Sequence, residues 1–365
     1  MNFSPQNAAS ANPDVSIIVP ARNEEDCIGD CLRSLQAQKG VNFELLLVDD
    51  GSTDNTWQIA ANLGVRILDP DPLPEGWSGK SNAIVSAVKH AKGKWLLFTD
   101  ADTIHEPGSL FASLREVEEH QSDVLSYSPR QIVTGFWQRA LMPVVFAELA
   151  STYRPKDICD PSKPDAAANG QFILIRADVY SAIGGHAPVA ATLLEDLAMA
   201  RLLKAKGYKL RFRMSQDVAT RMYRDTRSMC DGWTRNLAPL FQNLFGLAML
   251  RMSEFAIMLA GLVAFGVLLI AGKTGMALVA GLVFALVFLN FFLRIRKAHF
   301  SVLNSLLAWI GLPLFAVLLV RSYIHYRVRR QVMWKGRNYR YPVEVVHTQP
   351  QPGTAIDSSP VRSSK

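Results

Sequence analysis

Short apolar runs alternate with stretches of helical periodicity over the first 214 residues of the chain. Apolar runs of strand length occur at 15–21, 43–50, 65–69, 94–100, 123–129, 170–175 and 208–214. The intervening stretches place apolar residues on one helix face: "NEEDCIGDCLRSLQAQ", "TWQIAANLG", "SNAIVSAVKHAKG" and "LEDLAMARLLKAKG". Strands that alternate with helices of this length predict βαβ units, and therefore an α/β fold with a mainly parallel, Rossmann-like sheet.

The pattern changes after residue 236, where long apolar segments replace the alternation. Residues 255–272 and 275–293 each approach the ~20 apolar residues that a helix needs to cross a bilayer. A third candidate, residues 302–320, is interrupted by Gly311 and Pro313. The sequence therefore predicts a C-terminal region of interfacial and transmembrane helices.

The positions of the basic residues predict how this region is oriented in the membrane. The formal net charge is +7, and many of the cations flank the apolar segments: Arg294, Arg296, Lys297, Arg321, Arg327, Arg329, Arg330, Lys335, Arg337 and Arg340. Such cations indicate contact with a lipid bilayer on its cytosolic side, and no nucleic-acid partner. A third full span would put the basic C-terminal segment on the opposite side. Either the third segment is therefore re-entrant, or residues 237–250 add a pass; we favour a broken, interfacial third segment.

Polar residues collect where the predicted strands end. Asn23 and Glu24 follow the first strand, Asp49 and Asp50 end the second, and the fourth runs into a D-x-D pair, Asp100 and Asp102. Ligands of open parallel sheets bind outside the carboxyl ends of the strands, so these acids predict one shared cleft. Two carboxylates on one turn can hold a divalent cation such as Mg²⁺ or Mn²⁺, whose coordination is completed by water and phosphate.

The glycine-containing loop "LPEGWSGKSNAI" (73–84) adds a cation to this cleft. Lys80 stands where a helix is predicted to begin, which is a favourable position for binding an anion. We expect Lys80 to contact a diphosphate; a solvated lysine on a surface turn is the alternative.

Four motifs in order carry a family resemblance: "VPARNEE", "VDDGSTDNT", "FTDADT" and "LLEDLAMA". Together they resemble the family 2 glycosyltransferases of the GT-A fold. The resemblance covers roughly residues 14–240 and implies a nucleotide-sugar donor, a divalent metal and an inverting displacement. It also implies roles for single residues: the nucleoside pocket for Pro20, Ala21 and Glu24, the base edge for Asp50, the ribose or metal for Asp100, and the metal for Asp102.

The resemblance further implies a catalytic base in the E-D pair, Glu195 and Asp196. The second acid of the pair has this role in the family, which indicates Asp196. Neighbouring residues on a helix point about 100° apart, so we expect only one of the two to face the substrate. Acids at a helix N-terminus can also serve the helix dipole alone. The segment "AANGQFILI" is expected beside this pair, with three residues near the donor sugar or the acceptor: Asn169, Gly170 and Gln171.

Two aromatic–cation clusters flank the apolar region. In "GWTRNL" we expect Arg235 to neutralise the diphosphate and Trp233 to stack on a sugar face. Processive members of the family carry Q-x-x-R-W here, and this departure weakens the case for a polymer synthase. "WKGRNY" (334–339) could fold over the cleft or form an interfacial aromatic belt. His105 is expected to be structural.

The resulting hypothesis is a membrane-bound enzyme that transfers a hexose, from UDP-glucose or a similar donor, to a hydroxyl group of a membrane lipid. Carotenoid, hopanoid and ceramide glycosyltransferases are the similar types. The alternatives are a processive polysaccharide synthase and a non-catalytic membrane scaffold. The polar N-terminus and the four unpaired cysteines predict no signal peptide and a reducing compartment. The expected organisation is a flexible N-terminus (1–13), a catalytic domain (14–236), interfacial and transmembrane helices (237–330), a cytosolic segment (331–345) and a disordered tail (346–365).

Overall fold

The computed structural model describes residues 12–326 and the backbone of 331–334 and 337–340. Eight strands form one sheet in the order β3-β2-β1-β4-β7-β6-β8-β5. Their bounds are β1 Val15–Ala21, β2 Phe43–Asp49, β3 Arg66–Leu68, β4 Trp95–Phe98, β5 Thr103–His105, β6 Val124–Gln131, β7 Ile173–Arg176 and β8 Leu210–Thr220. Each of the seven predicted strands is present, and β5 is an additional strand of three residues.

The sheet is parallel in its first half and mixed in its second. β1 lies between β2 and β4 and pairs parallel with both, and β3 continues this parallel half. Beyond β4 the direction reverses, because β4 pairs antiparallel with β7, and β7 pairs antiparallel with β6. The expectation of a mainly parallel sheet therefore describes only the N-terminal half, which is Rossmann-like.

Eight helices belong to the part of the described chain that carries this sheet. They are α1 Ile28–Gln36, α2 Thr56–Asn62, α3 Gly79–Val88, α4 Ser109–Glu119, α5 Phe136–Thr152, α6 Pro155–Ile158, α7 Ala177–Ala182 and α8 Glu195–Ala205. Helices α1 and α2 follow β1 and β2 as the alternation predicts. Two apolar clusters fill the interior of this part, one containing Ile18, Leu46 and Phe98 and the other containing Ile17, Leu47 and Leu97. Successive residues of one strand thus face opposite sides of the sheet, as expected for a sheet buried on both faces.

Five helices follow: α9 Thr226–Leu240, α10 Leu244–Ile270, α11 Thr274–Arg296, α12 Val302–Leu307 and α13 Leu312–Ile324. By length and composition alone, α10, α11 and the run 302–324 could each cross a membrane. Only 6% of the most apolar window of α10 and 11% of that of α11 are buried, and large apolar side chains on both helices are exposed. The two helices form a hairpin through a short turn at 271–273.

The third apolar run differs from the hairpin. It is broken as predicted, because a 3-10 turn at Ala308–Gly311 separates α12 from α13. Its apolar window is 44% buried, since α13 packs against α9, α10 and α5 in a third apolar cluster. The stretch 237–250, considered as a further pass, divides instead between the end of α9 and the first turns of α10.

Four charged side chains join the hairpin to α5. Arg251 on α10 contacts Glu148 of α5 at 2.9 Å and Glu254 at 3.0 Å. Arg294 at the end of α11 contacts Glu254 at 2.7 Å. All four are less than one-fifth exposed. We call them the charged quartet.

Beyond residue 326, strands β9 Gln331–Trp334 and β10 Arg337–Arg340 pair antiparallel. The side chains of the "WKGRNY" segment lie outside the described residues, as do the predicted N-terminal segment up to residue 11 and the predicted disordered tail.

Candidate active site

A single cleft of about 1550 Å³ opens where β1, β2 and β4 end. Thirteen of the fourteen residues predicted for the site line this cleft: Pro20, Ala21, Glu24, Asp50, Lys80, Asp100, Asp102, Asn169, Gly170, Gln171, Glu195, Asp196 and Arg235. They come from segments far apart in the sequence. Among them, Glu24, Asp50, Asp100 and Asp102 follow the ends of β1, β2 and β4, where the strand-end rule places a shared cleft.

Lys80 is the cation at the centre of this cleft. Ser78 caps α3 by accepting a hydrogen bond from the Ser81 amide, and this places Lys80 in the first turn of the helix. The Lys80 Nζ lies 2.7 Å from Asp100 Oδ1 and 3.0 Å from Glu195 Oε1. Burial alone would lower the pKa of Lys80, but the two carboxylates outweigh burial and raise it well above its ordinary value. Lys80 is therefore positively charged at neutral pH. The alternative of a solvated lysine on a surface turn is wrong, because the side chain is largely buried against two carboxylates.

The two acids at the start of α8 both line the cleft. Their side chains point to different partners, because Glu195 contacts Lys80 while Asp196 binds the neighbouring backbone. Asp196 Oδ2 accepts a hydrogen bond from the Gly170 amide at 2.8 Å. Burial raises the pKa of Asp196 to about 6, and the charge of Glu195 adds to this rise. An acid with this pKa can accept a proton near neutral pH.

Gly170 occupies a position where a side chain would disturb the site. A Cβ atom there would stand 2.8 Å from Lys80 Nζ and 3.6 Å from Asp196 Oδ2. The glycine thus lets the backbone approach both charged groups closely.

The end of the cleft where the sequence predicts a nucleoside is built by the loops after β1 and β2. Arg22 donates a hydrogen bond to the Asp50 carbonyl oxygen at 2.5 Å, and the Glu24 amide donates to Thr56 Oγ1 at 2.7 Å. Asp49 turns away from the cleft and accepts hydrogen bonds from Ser52. Asp50, whose side chain is 12% exposed, is therefore the acid of this pair that lines the cleft.

The D-x-D turn, Asp100 to Asp102, is where the sequence predicts a divalent cation. Ala101 is buried between the two acids, and the Asp100 carbonyl oxygen accepts a hydrogen bond from Thr103 Oγ1 at 2.8 Å. One oxygen of Asp100 is bound to Lys80, and Asp102 lines the cleft beside it. Within residues 12–326, no three His, Cys, Asp or Glu side chains gather at a common metal position. This donor set suits Mg²⁺ or Mn²⁺ bound by one or two carboxylates together with substrate phosphates.

Trp233 is the predicted site residue that the structure places elsewhere. Its side chain is 2% exposed, and its indole Nε1 donates to Met142 Sδ. Its ring packs edge-on against Phe146 in the apolar cluster between α5 and α9. The prediction that Trp233 stacks on a sugar face is therefore wrong. Arg235, two residues further along α9, does line the cleft.

Several cleft residues were not predicted, among them Arg201, Arg221 and Tyr326. Arg201 had a signal in the sequence, because Glu195, Ala198 and Arg201 recur at a spacing of three on α8. Arg221 and Tyr326 had none, since their positions depend on how β8 and α13 pack. His105, expected to be structural, is buried and lies 3.0 Å from Thr99 Oγ1.

Comparison with known proteins supports the motif-based resemblance. The model of the family described as "Glycosyl transferase family 2" matches residues 16–184. This match and the mixed sheet with its parallel N-terminal half confirm the predicted GT-A fold.

Among curated proteins, the 4,4'-diaponeurosporenoate glycosyltransferase of Staphylococcus aureus (strain USA300) is 30% identical over 234 residues, which are 61% of this chain and 60% of that protein. The sequence from strain Newman gives the same values. The chain thus matches 60% of the length of these relatives.

Among solved structures, a mannosyltransferase from Pyrobaculum calidifontis in complex with GDP-mannose and Mn²⁺ aligns over 90% of this chain and 91% of its own, with 15% identity and a TM-score of 0.48. TarS of S. aureus aligns over 60% of this chain and 38% of its own, with 20% identity and a TM-score of 0.41.

Proposed function

We propose that the protein transfers a hexose from a nucleoside diphosphate sugar to a hydroxyl group of a membrane lipid, because residues 16–184 match the model of glycosyl transferase family 2. UDP-glucose is the donor we propose. The curated relative is by its name a glycosyltransferase for a carotenoid acid, which supports a lipid acceptor. The observation that carries the proposal is the contact of Lys80 with Asp100 and Glu195, beside Asp196, in one cleft.

The donor is proposed to bind with its nucleoside near Pro20, Ala21, Glu24 and Asp50 and its diphosphate near Lys80. Breaking the bond between the sugar and the diphosphate leaves negative charge on the leaving group, which fixed cations stabilise. Lys80 and Arg235 are the cleft cations proposed for this task. A divalent cation held by Asp102, with Asp100 beside it, would supply Lewis-acid stabilisation of the same charge when bound.

Asp196 is proposed as the base. The acceptor oxygen attacks the anomeric carbon, the bond from that carbon to the diphosphate oxygen breaks, and the electron pair leaves with the nucleoside diphosphate. The proton of the acceptor hydroxyl passes to the Asp196 carboxylate. The Gly170 amide holds this carboxylate in place at 2.8 Å, and Asn169 and Gln171 flank it as proposed contacts of the sugar or acceptor.

The acceptor is proposed to enter from the membrane side of the cleft. Pro239 near the end of α9 and Tyr326 just after α13 line the cleft there. Both helices pack into the apolar cluster that also contains residues of the α10–α11 hairpin. A lipid could thus present its hydroxyl group to Asp196 while its chains stay in the bilayer.

The test uses membranes that contain the full chain, incubated with labelled UDP-glucose. Label should enter organic-extractable lipid, and chelation of divalent cations should abolish this transfer. Asp196→Asn should still bind the donor, because the amide keeps the shape of the side chain. Its rate of transfer should fall by about 10²-fold or more.

Label in insoluble polymer would instead support a processive synthase. Full activity of Asp196→Asn would remove the base from the mechanism. Absence of transfer with every nucleotide sugar tried, despite donor binding, would favour a scaffold.

A further inference from the structure

The run 302–324 satisfies the length and composition of a membrane span, yet it begins on the catalytic domain. Phe300, just before α12, packs against Phe146 of α5 with ring centroids 6.0 Å apart. At the 3-10 turn, a Cβ atom on Gly311 would lie 2.3 Å from the Ala140 carbonyl oxygen of the same helix. The stretch from 300 to 311 is thus held against α5 at both ends, and α5 lies between β6 and β7 of the sheet along the chain.

The second half of the run also ends on the catalytic domain. Ser322 Oγ accepts a hydrogen bond from the Ala238 amide of α9 at 2.9 Å, and Arg321 contacts Asp231 of α9 at 3.0 Å. Tyr326 then lines the active-site cleft.

The direction of α13 follows from the contacts at its two ends, one with α10 and one with α9. Near its start, Trp309 stacks on Phe255, the first residue of α10 after the charged Glu254. Near its end, Ser322 binds Ala238, just before α10 begins at Leu244. Helix α13 therefore runs antiparallel to the first three turns of α10, which carry Arg251 and Glu254, and away from the apolar remainder of that helix. Its 13 residues span about 20 Å, against about 30 Å of bilayer hydrocarbon.

We propose that 302–324 does not cross the membrane, and that the α10–α11 hairpin alone crosses it in this region. The chain then returns to the catalytic side, and α12 lies in the plane of the bilayer surface. This inference concerns topology and does not depend on the proposed reaction.

The exposed side chains at this level fit a lipid surface. On α12, Val302, Leu303 and Leu306 are 54%, 57% and 42% exposed. At the start of α5, whose next turn holds Gly311, Phe136 and Trp137 are 52% and 40% exposed, as expected of aromatic side chains at a membrane interface.

The charges near the same surface agree with this arrangement. Arg294, Arg296 and Lys297 end α11 beside α12, whereas Lys273 is the charge at the hairpin turn. The cations thus gather on the catalytic side, where anionic headgroups and the positive-inside rule favour them.

Sealed vesicles test the topology with a membrane-impermeant maleimide that adds mass to an exposed thiol. The full-length chain keeps the buried Cys31, and serine replaces the partly exposed Cys27, Cys159 and Cys230. Single thiols are then introduced by Gln58→Cys on the exposed face of α2, by Lys273→Cys at the hairpin turn and by Ser364→Cys near the C-terminus.

The thiols of Gln58→Cys and Ser364→Cys should react from the same side, and that of Lys273→Cys only from the other. Detergent should make all three reactive. A Ser364→Cys thiol that reacts from the side of the hairpin turn would overturn the proposal, and so would a Lys273→Cys thiol that reacts from the side of Gln58→Cys. Protease sites inserted at the three positions repeat the measurement with the native cysteines in place.

A depth measurement tests the position of α12. A fluorophore attached to Leu303→Cys should be quenched best by nitroxides near the lipid headgroups. Strongest quenching by nitroxides at the bilayer centre, or no quenching by any lipid nitroxide, would overturn the in-plane placement.

Discussion

Lys80 determines the electrostatics of the candidate site at the scale of single residues. It contacts Asp100 and Glu195 directly, and its charge also reaches Asp196. Burial and Glu195 raise the pKa of Asp196, whereas Lys80 lowers it. The same ammonium group thus serves the proposed diphosphate site and adjusts the proposed base.

This double role predicts the effect of Lys80→Met on the pH dependence of transfer. In the native chain, transfer should rise as pH increases through about 6, because Asp196 must lose its proton to act as a base. Without Lys80 the pKa of Asp196 should be higher, so the rise should move to higher pH, and the maximal rate should fall about 10²-fold. Rates measured across pH at saturating donor check both effects.

Lys80→Arg is the matched control for this experiment, because it keeps a positive charge. It should leave the pH profile near that of the native chain. If Lys80→Met lowers the rate without moving the profile, the charge of Lys80 does not act on the base.

At this scale the structure brings the predicted polar residues into one cleft, but it buries the predicted aromatic residue elsewhere. The acids at strand ends follow from chain direction alone, which a sequence pattern contains. Trp233 was misassigned because its neighbours were read as a motif rather than as a helix face. Met229, Trp233 and Leu237 recur every four residues and are all buried. The helical periodicity of α9 therefore predicts that Trp233 faces the apolar interior.

At the scale of elements, the 3-10 turn at Ala308–Gly311 is the feature that places α12 and α13 on α5. Its closest approach is at Gly311, where the helix backbone of α5 leaves no space for a methyl group. A backbone atom cannot move aside as a flexible side chain can, so only glycine allows this contact.

Gly311→Ala should therefore weaken the packing of the third apolar run on the catalytic domain. Overpacking of this kind costs about 1–3 kcal/mol. The expected result is a lower midpoint of thermal unfolding for the purified protein in detergent, followed by tryptophan fluorescence.

Gly266→Ala is the control, because it also changes a glycine within an apolar helix but meets no atom within 4 Å. Its midpoint should equal or exceed that of the native chain, since alanine favours helix. If both substitutions lower the unfolding midpoint equally, the packing at Gly311 is no tighter than that at Gly266.

The order of elements was largely predictable, whereas their pairing was not. Short apolar runs predicted the seven strands, and Gly311 with Pro313 predicted the break in the third apolar run, because both signals are local in the sequence. The antiparallel pairing of β4 with β7 joins segments almost eighty residues apart, and no local pattern indicates it. The three residues of β5 are too few for a periodicity to be recognised.

At the scale of the whole molecule, the charged quartet connects α5 to the apolar α10–α11 hairpin. Glu148 belongs to α5, Arg251 and Glu254 to α10, and Arg294 to α11. Two glutamates balance two arginines, so the group as a whole carries no net charge.

Glu148→Gln should destabilise the protein, because it leaves a buried arginine with only one carboxylate partner. Breaking a buried ion pair from one side costs about 3–5 kcal/mol. The expected outcome is a lower unfolding midpoint and easier proteolysis between α9 and α10. Asp30→Asn, which removes one partner of the exposed pair between Arg33 and Asp30, is the control and should change little. A midpoint for Glu148→Gln as high as that of the control would contradict a structural role of the quartet.

The continuity of α10 has a consequence for the choice of acceptor in the proposed reaction. Its 27 residues run without interruption from Leu244, shortly after the end of α9, into the apolar hairpin. A straight helix is a stiff rod, so the reacting atoms are held at a constant height above the hydrocarbon. Selection among lipids would then depend on the depth of the hydroxyl group in the bilayer as well as on the shape of the lipid. A lipid whose hydroxyl group projects from the headgroup layer can react where it lies. A lipid whose hydroxyl group lies deeper must first move outward from the bilayer.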